Sequence, residues 1–155
     1  MNKLELIERT YAEAVKGIIG DWFLNANTNW YEYIVNLPLN QKIAYLIIVL
    51  NNQVLNGGFH QYFVNGYGQF ALETIKALLE IGAEQRAQLL AVAYNTVNKD
   101  HLTQDVFRTL LLEKSIKSLF VTDELYEPLN DLDIQYYTID NEDIENLLGI
   151  FLERQ

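Results

Sequence analysis

The chain has 155 residues, of which 50% are apolar and 21% charged, and it contains no cysteine. This length and composition predict one globular domain and exclude disulfides and thiolate zinc sites. The formal net charge of −10 disfavours direct contact with nucleic acid or an anionic membrane. Because residues 1–5 begin an amphipathic segment and not a secretory signal, we expect a cytoplasmic protein.

The first half of the chain predicts helices around a buried centre. Apolar residues recur at helical spacing over residues 4–19, which indicates an amphipathic first helix. An aromatic-rich segment follows and stops before Pro38; with no basic residues among its rings, core packing is favoured over stacking on bases. Residues 43–50 carry no charge and are apolar on every side, so they predict a buried central helix that is too short to span a bilayer.

The second half predicts further helices over residues 69–81, 83–97, 105–120 and 142–153. Gly82 is expected to join the first two as an antiparallel hairpin. Asp105, Thr122 and Asn141 are predicted N-caps, and Pro128 is expected at a helix start. Residues 134–139, IQYYTI, form the only β-like run and are interpreted as a connector. The prediction is an all-α fold: a single compact multi-helix domain over residues 1–155 with a buried central helix.

A glycine pair and several amides directly follow the predicted central helix. The glycines suit a helix end or tight corner, the two phenylalanines share a face, and the amides are expected to satisfy backbone groups. We interpret this motif as mainly structural; its residues are Asn56, Gly57, Gly58, Phe59, Gln61, Phe63 and Asn65. The alternative is a small-molecule or peptide-binding module whose pocket rim comprises Phe59, His60, Gln61, Tyr62 and Asn65.

The run from Asn56 to Asn65, with the spacing NGGF-x-Q-x-F-x-N, resembles the signature of the DUF4375 family. Through length and helical pattern, the resemblance extends to most of the chain. It implies an all-α fold and, from a bacterial DNA mimic in that family, an acidic surface that occupies the nucleic-acid site of a basic DNA-binding protein. The motif is uncharged, so any imitation of phosphates must come from other residues.

Negative charge is concentrated in the last third of the chain. Residues 1–100 contain seven basic residues (Lys and Arg) and nine acidic residues (Asp and Glu). Residues 101–155 contain four basic and twelve acidic residues. Several of these carboxylates are expected at helix N-termini, where they interact favourably with the helix dipole. For the others, an ordinary solvated surface and imitation of DNA phosphates are equally good explanations. Carboxylates one helical turn apart, with Cβ atoms ~5–6 Å apart, can also approximate a row of phosphates. The candidate partner-binding residues are Asp123, Glu124, Glu127, Asp131, Asp133, Asp140, Glu142, Asp143 and Glu145.

No catalytic, cofactor or metal site is predicted. His60 and His101 are the only histidines, and neither has a second histidine at metal-binding spacing. Nucleophile and phosphate-loop motifs do not occur. The leading hypothesis is therefore a non-enzymatic acidic protein, a DNA mimic that binds a basic DNA-binding protein. A homodimer would suit this role, because doubling the acidic face would lengthen it.

Overall fold

The computed structural model describes residues 1–155, and all of its regular secondary structure is helical. The elements in order are α1 (Lys3–Val15), a first 3₁₀ turn (Gly20–Phe23), α2 (Asn29–Val35), α3 (Leu39–Val64), a second 3₁₀ turn (Tyr67–Phe70), α4 (Ala71–Ile81), α5 (Glu84–Val97), α6 (Gln104–Leu112), α7 (Lys117–Phe120), α8 (Tyr126–Tyr137) and α9 (Ile144–Glu153). The predicted all-α fold in one compact domain is confirmed. None of the helices combines the length and apolar character needed to cross a membrane.

Helix α3 lies at the centre, as the uncharged run predicted. Helices α1, α2, α4, α7 and α8 all pack against it, and every side chain from Ile43 to Leu50 is buried except Ile48, which is partly buried. A helix that is apolar on all sides needs such neighbours, because each exposed apolar side chain would forgo its transfer free energy. The core is therefore organised around α3.

The chain beyond α3 folds back in hairpins. Helices α4 and α5 pack against each other, and the turn between them begins at Gly82. The φ of Gly82, +88°, lies in the left-handed region that favours glycine. The predicted hairpin is confirmed. Helix α5 then packs against α8, while α9 packs against α1 and α4. Helix α8 thus lies against α3 on one side and α5 on another.

Several predicted helix ends are wrong. The run at residues 134–139 is no connector, because residues up to Tyr137 belong to α8, where burial of Tyr136 in the core outweighs the β-propensity of the run. Thr122 and Asn141 do not cap: α8 begins after Leu125, and Asp143 caps α9 by accepting a hydrogen bond from the Asn146 N–H (3.2 Å).

Two other expected helix starts lie close to where the sequence placed them. Thr103 precedes α6, so Asp105 is in its first turn and is not its cap. Pro128 is the third residue of α8, where its missing N–H leaves no helical bond unmade. The proline is therefore near the helix start, as predicted.

Candidate functional site

The glycine pair of the motif bends α3. Gly57 (φ −149°, ψ 16°) and Gly58 (φ +78°, ψ −178°) leave helical geometry, and the helix resumes at Phe59. A Cβ atom at Gly58 would collide with the carboxylate of Asp133. Glycine is needed here both for the positive φ and for the close approach of that carboxylate.

The carboxylate that fills this space stabilises the bend. The Phe59 N–H donates a hydrogen bond to Asp133 Oδ1 (2.7 Å), which satisfies an amide left without a helical partner by the bend. Burial raises the pKa of Asp133, partly offset by this hydrogen bond and by nearby His60. Asp133 is buried, so its assignment to an exposed acidic face is wrong. Its i, i+4 spacing from the apolar Leu129 was the sequence signal that could have placed it on the buried face of a helix.

The rest of the motif makes contacts within the protein. Asn56 Nδ2 donates to Gln61 Oε1 (3.1 Å), while Gln61 Nε2 and Asn65 Nδ2 both donate to Gln53 Oε1 (3.0 and 2.9 Å). The motif amides thus bind other side chains, contrary to the expectation that they satisfy backbone groups. Phe63 is fully buried in the core.

The pocket rim expected around the motif does not form as a unit. Phe59 and Tyr62 have no exposed surface, and the Nε2 atom of partly buried His60 lies 3.2 Å from the Leu119 carbonyl oxygen. A cleft of about 600 Å³ opens beyond the motif, lined by Asn65, by the first 3₁₀ turn and by the end of α6. Only the last motif residue therefore reaches a substantial cleft.

Glu142 is a second predicted surface carboxylate that the structure places inside. Its carboxylate accepts hydrogen bonds from the Gln85 and Arg86 N–H groups (2.6 and 3.1 Å), which are free amides at the start of α5. The Arg86 guanidinium in turn donates to the Glu142 and Tyr136 carbonyl oxygens and lies over the Tyr136 ring, 4.5 Å from its centroid. Glu142 therefore joins the α8–α9 connection to α5 and is unavailable to a partner.

The remaining seven predicted carboxylates are exposed, and we call them the acidic surface: Asp123, Glu124, Glu127, Asp131, Asp140, Asp143 and Glu145. They lie on α8, just before it, in the segment that leads into α9 and, for Glu145, in the first turn of α9. Since α8 has 12 residues, it separates the two end groups by about 18 Å at 1.5 Å per residue. Glu127 and Asp131, at i and i+4, share its outer face.

Little positive charge opposes the acidic surface. Its only ion pair joins Glu124 to Lys99 (3.5 Å), and Asp143 is engaged as the cap of α9. Nowhere do three His, Asp or Glu side chains converge to hold a metal ion. The arrangement can attract cationic groups, and it joins no nucleophile to a base.

The fold and these carboxylates define a small all-α protein with exposed acidic residues around α8 and a motif that shapes its core. A family model described as DMP19-like protein matches residues 35–155, and the chain belongs to that family. This match supports the family resemblance drawn from the Asn56–Asn65 motif, and the assignment to DUF4375 itself is not confirmed. No curated protein and no solved structure matches the chain significantly.

Proposed function

We propose that this protein is a non-enzymatic DNA mimic whose acidic surface occupies the nucleic-acid site of a basic DNA-binding protein. The observation that carries the proposal is the exposure of seven carboxylates around α8 with a single ion pair among them. Membership of the DMP19-like family supports the same function. The buried Asp133 and Glu142 are left out of the proposed surface.

The spacing of these carboxylates supports recognition by a protein that normally binds phosphates. Glu127 and Asp131 are about 6 Å apart along the axis of α8, at 1.5 Å per residue, which is close to the ~6.8 Å that two phosphate steps of ~3.4 Å span along one DNA strand. Arginine and lysine form charge-assisted hydrogen bonds with carboxylates as they do with phosphates. The net charge of −10 also accelerates encounter with a basic partner.

The alternative, a small-molecule or peptide-binding module at the motif, has less support. Two of its five rim residues, Phe59 and Tyr62, are fully buried. The depression formed by Asn56, Gln61 and their neighbours is shallow and lined by only five residues. Ligand binding there would depend on few accessible groups.

The test is capture of a DNA-binding partner followed by competition with duplex DNA. Immobilised protein is exposed to cell extract, retained proteins are identified, and each purified candidate is bound to labelled duplex DNA. We expect the protein to displace the DNA, and the variant Asp123→Lys/Glu127→Lys/Asp131→Lys to lose this ability. Circular dichroism should show the same helix content in both, because all three side chains are exposed.

A matched control changes net charge equally elsewhere. Glu8, Glu32 and Glu80 are exposed, belong to other helices and form no ion pair. The variant Glu8→Lys/Glu32→Lys/Glu80→Lys should still displace DNA. If both variants displace DNA as well as the natural protein does, the acidic surface is solvated charge and the proposal fails.

A further inference from the structure

The cleft beyond the motif is lined by aromatic rings and by none of the residues of the acidic surface. Its volume of about 600 Å³ is typical of pockets that enclose a small molecule. Four aromatic side chains contribute to the lining: Trp22, Phe23, Trp30 and Tyr67. The buried Trp30 ring meets the rings of Phe23 and Tyr67 edge to face, at centroid distances of 4.7 and 5.2 Å. The rings therefore form one continuous aromatic wall.

Part of this wall is open to solvent. Phe23 is 51% exposed and the adjacent Leu24 is 73% exposed, in contrast to the core packing predicted for their segment. Large apolar side chains that stay exposed along a cleft forgo their transfer free energy, which a flat ligand would recover. The only charged residues in the lining, Glu113 and Lys114, have opposite signs. The cleft therefore favours a ligand without net charge.

Two amide side chains supply a polar edge to the cleft. Asn65 Nδ2 donates to Gln53 Oε1 (2.9 Å), so the two amides lie side by side. The other polar atom of each amide, Gln53 Nε2 and Asn65 Oδ1, forms no hydrogen bond within the protein. Gln53 Nε2 also reaches solvent, because the buried side-chain atoms without partners belong to Gln69, Arg86 and Arg108. One free donor and one free acceptor are thus neighbours in the lining.

The motif holds this amide pair in one orientation. Gln53 Oε1 also accepts from Gln61 Nε2 (3.0 Å), and Gln61 Oε1 accepts from Asn56 Nδ2 (3.1 Å). A flip of the Gln53 amide would place its NH₂ group against two other NH₂ groups and lose both hydrogen bonds. Gln61 and Asn56 are therefore positioning residues that keep the Gln53 NH₂ group as the free end.

We propose that this cleft binds an uncharged nucleoside-like ligand, a flat heterocycle that carries a hydrogen-bond donor and an acceptor side by side on one edge. The heterocycle packs against Phe23 and the neighbouring rings, Gln53 Nε2 donates to a ring nitrogen, and Asn65 Oδ1 accepts from an amino group. Adenine presents such an edge, which asparagine and glutamine amides recognise in DNA complexes. The site goes beyond the proposed function and does not depend on it.

Adenosine is the probe, and the tryptophan fluorescence of the full-length protein reports its binding. Trp22 and Trp30 are the only tryptophans of the chain and both line the cleft, so adenosine should change their emission saturably when excitation is at the red edge of tryptophan absorption. Purine riboside lacks the amino group and should bind about two- to tenfold more weakly, the range for one lost hydrogen bond. Adenosine 5′-monophosphate should bind no more tightly than adenosine.

Variants separate the rings from the amides. Phe23→Ala should weaken adenosine binding by at least about fivefold, the lower range for stacking of a base on an aromatic ring. Tyr126→Ala is the matched control, because Tyr126 is an aromatic residue, 69% exposed, outside the cleft, and it should bind adenosine unchanged. Asn65→Ala should bind adenosine and purine riboside equally. Gln61→Leu should weaken the binding of both nucleosides, a change that a purely structural role of Gln61 would not produce.

Each contrary outcome overturns the nucleoside site. The absence of a saturable change with adenosine, cytidine and guanosine shows that the cleft binds no such heterocycle. Equal binding of adenosine and purine riboside to the natural protein, or tighter binding of the monophosphate, contradicts the proposed ligand class. A change produced by proline-rich peptides and not by nucleosides makes the cleft a peptide site. The DNA-mimic function is judged separately, because Phe23→Ala should displace duplex DNA from the partner as well as the natural protein does.

Discussion

Asp133 Oδ1 accepts the Phe59 N–H across 74 residues of sequence, at 2.7 Å, where α8 crosses the bend of α3. This hydrogen bond joins the helix that carries the exposed acids to the centre of the core. Removing the acceptor by Asp133→Ala should lower the free energy of unfolding by about 1–3 kcal/mol, because a buried N–H loses its partner. Asp133→Asn retains an acceptor oxygen and should cost less. Urea unfolding of both variants compares them; equal losses would show that the hydrogen bond contributes little.

The same carboxylate should make stability depend on pH. Burial raises its folded-state pKa above the usual 3.8, so the folded protein binds more protons than the unfolded chain in the window above 3.8. The contribution of Asp133 to the free energy of unfolding is therefore largest at low pH, and it is lost as the pH rises through the raised pKa. The difference in unfolding free energy between the natural protein and Asp133→Asn should favour the natural protein most at acidic pH. A difference that does not change with pH would contradict the raised pKa.

Gly58 should tolerate alanine less well than another glycine with positive φ. Alanine at Gly82 meets no atom within 4 Å and suffers only from the φ of +88°, a cost of about 1–2 kcal/mol. Alanine at Gly58 has the same type of strain and also collides with Asp133, so Gly58→Ala should be the more destabilising. Thermal unfolding of the two variants measures the difference. Equal midpoints would mean that α8 moves away without cost.

Glu142 and Glu145 should differ sharply, although the sequence placed both in one acidic group. Glu142→Ala removes the partner of two α5 amides and of the buried Arg86 guanidinium, which should cost about 3–5 kcal/mol. Glu145 is exposed and forms no ion pair, so Glu145→Ala should change stability by less than about 0.5 kcal/mol. Chemical denaturation tests both. A small effect at Glu142 would contradict its structural role.

Binding through the acidic surface should weaken as salt rises. Exposed charges are screened over about 8 Å at physiological ionic strength, so the dissociation constant for the partner should increase with salt. The variant Asp123→Asn/Glu127→Gln/Asp131→Asn should bind more weakly and show a shallower salt dependence. Titrations at several salt concentrations measure both quantities. An unchanged slope would indicate that these three carboxylates do not contact the partner.

Local sequence patterns were sufficient for the main features of the fold. The uncharged run at residues 43–50 identified the central helix, because only a helix surrounded by neighbours can be apolar on every side. Gly82 predicted the α4–α5 hairpin. Gly57 and Gly58 marked where helical geometry is interrupted, but the predicted helix end is wrong, because the helix resumes after them and continues to Val64. Each confirmed feature depends on a few consecutive residues, which is why the sequence alone revealed it.

The errors concern contacts between distant parts of the chain. A charge count cannot distinguish Asp133 and Glu142 from their exposed neighbours, since their partners lie 74 and 56 to 57 residues away. The β-like run that includes Tyr136 concealed the end of α8 and with it the buried stripe to which Asp133 belongs. Tertiary packing decided these positions over local preference.

The buried contacts of Asp133 and Glu142 also bear on the kinetics of recognition. They fix α8 and the segment after it to α3 and α5, so the exposed carboxylates are preorganised before any partner arrives. A preorganised surface loses little conformational entropy on association, which lengthens the lifetime of the complex. On the proposed function, the exposed carboxylates would therefore govern the rate of association, and the two buried ones would influence the rate of dissociation.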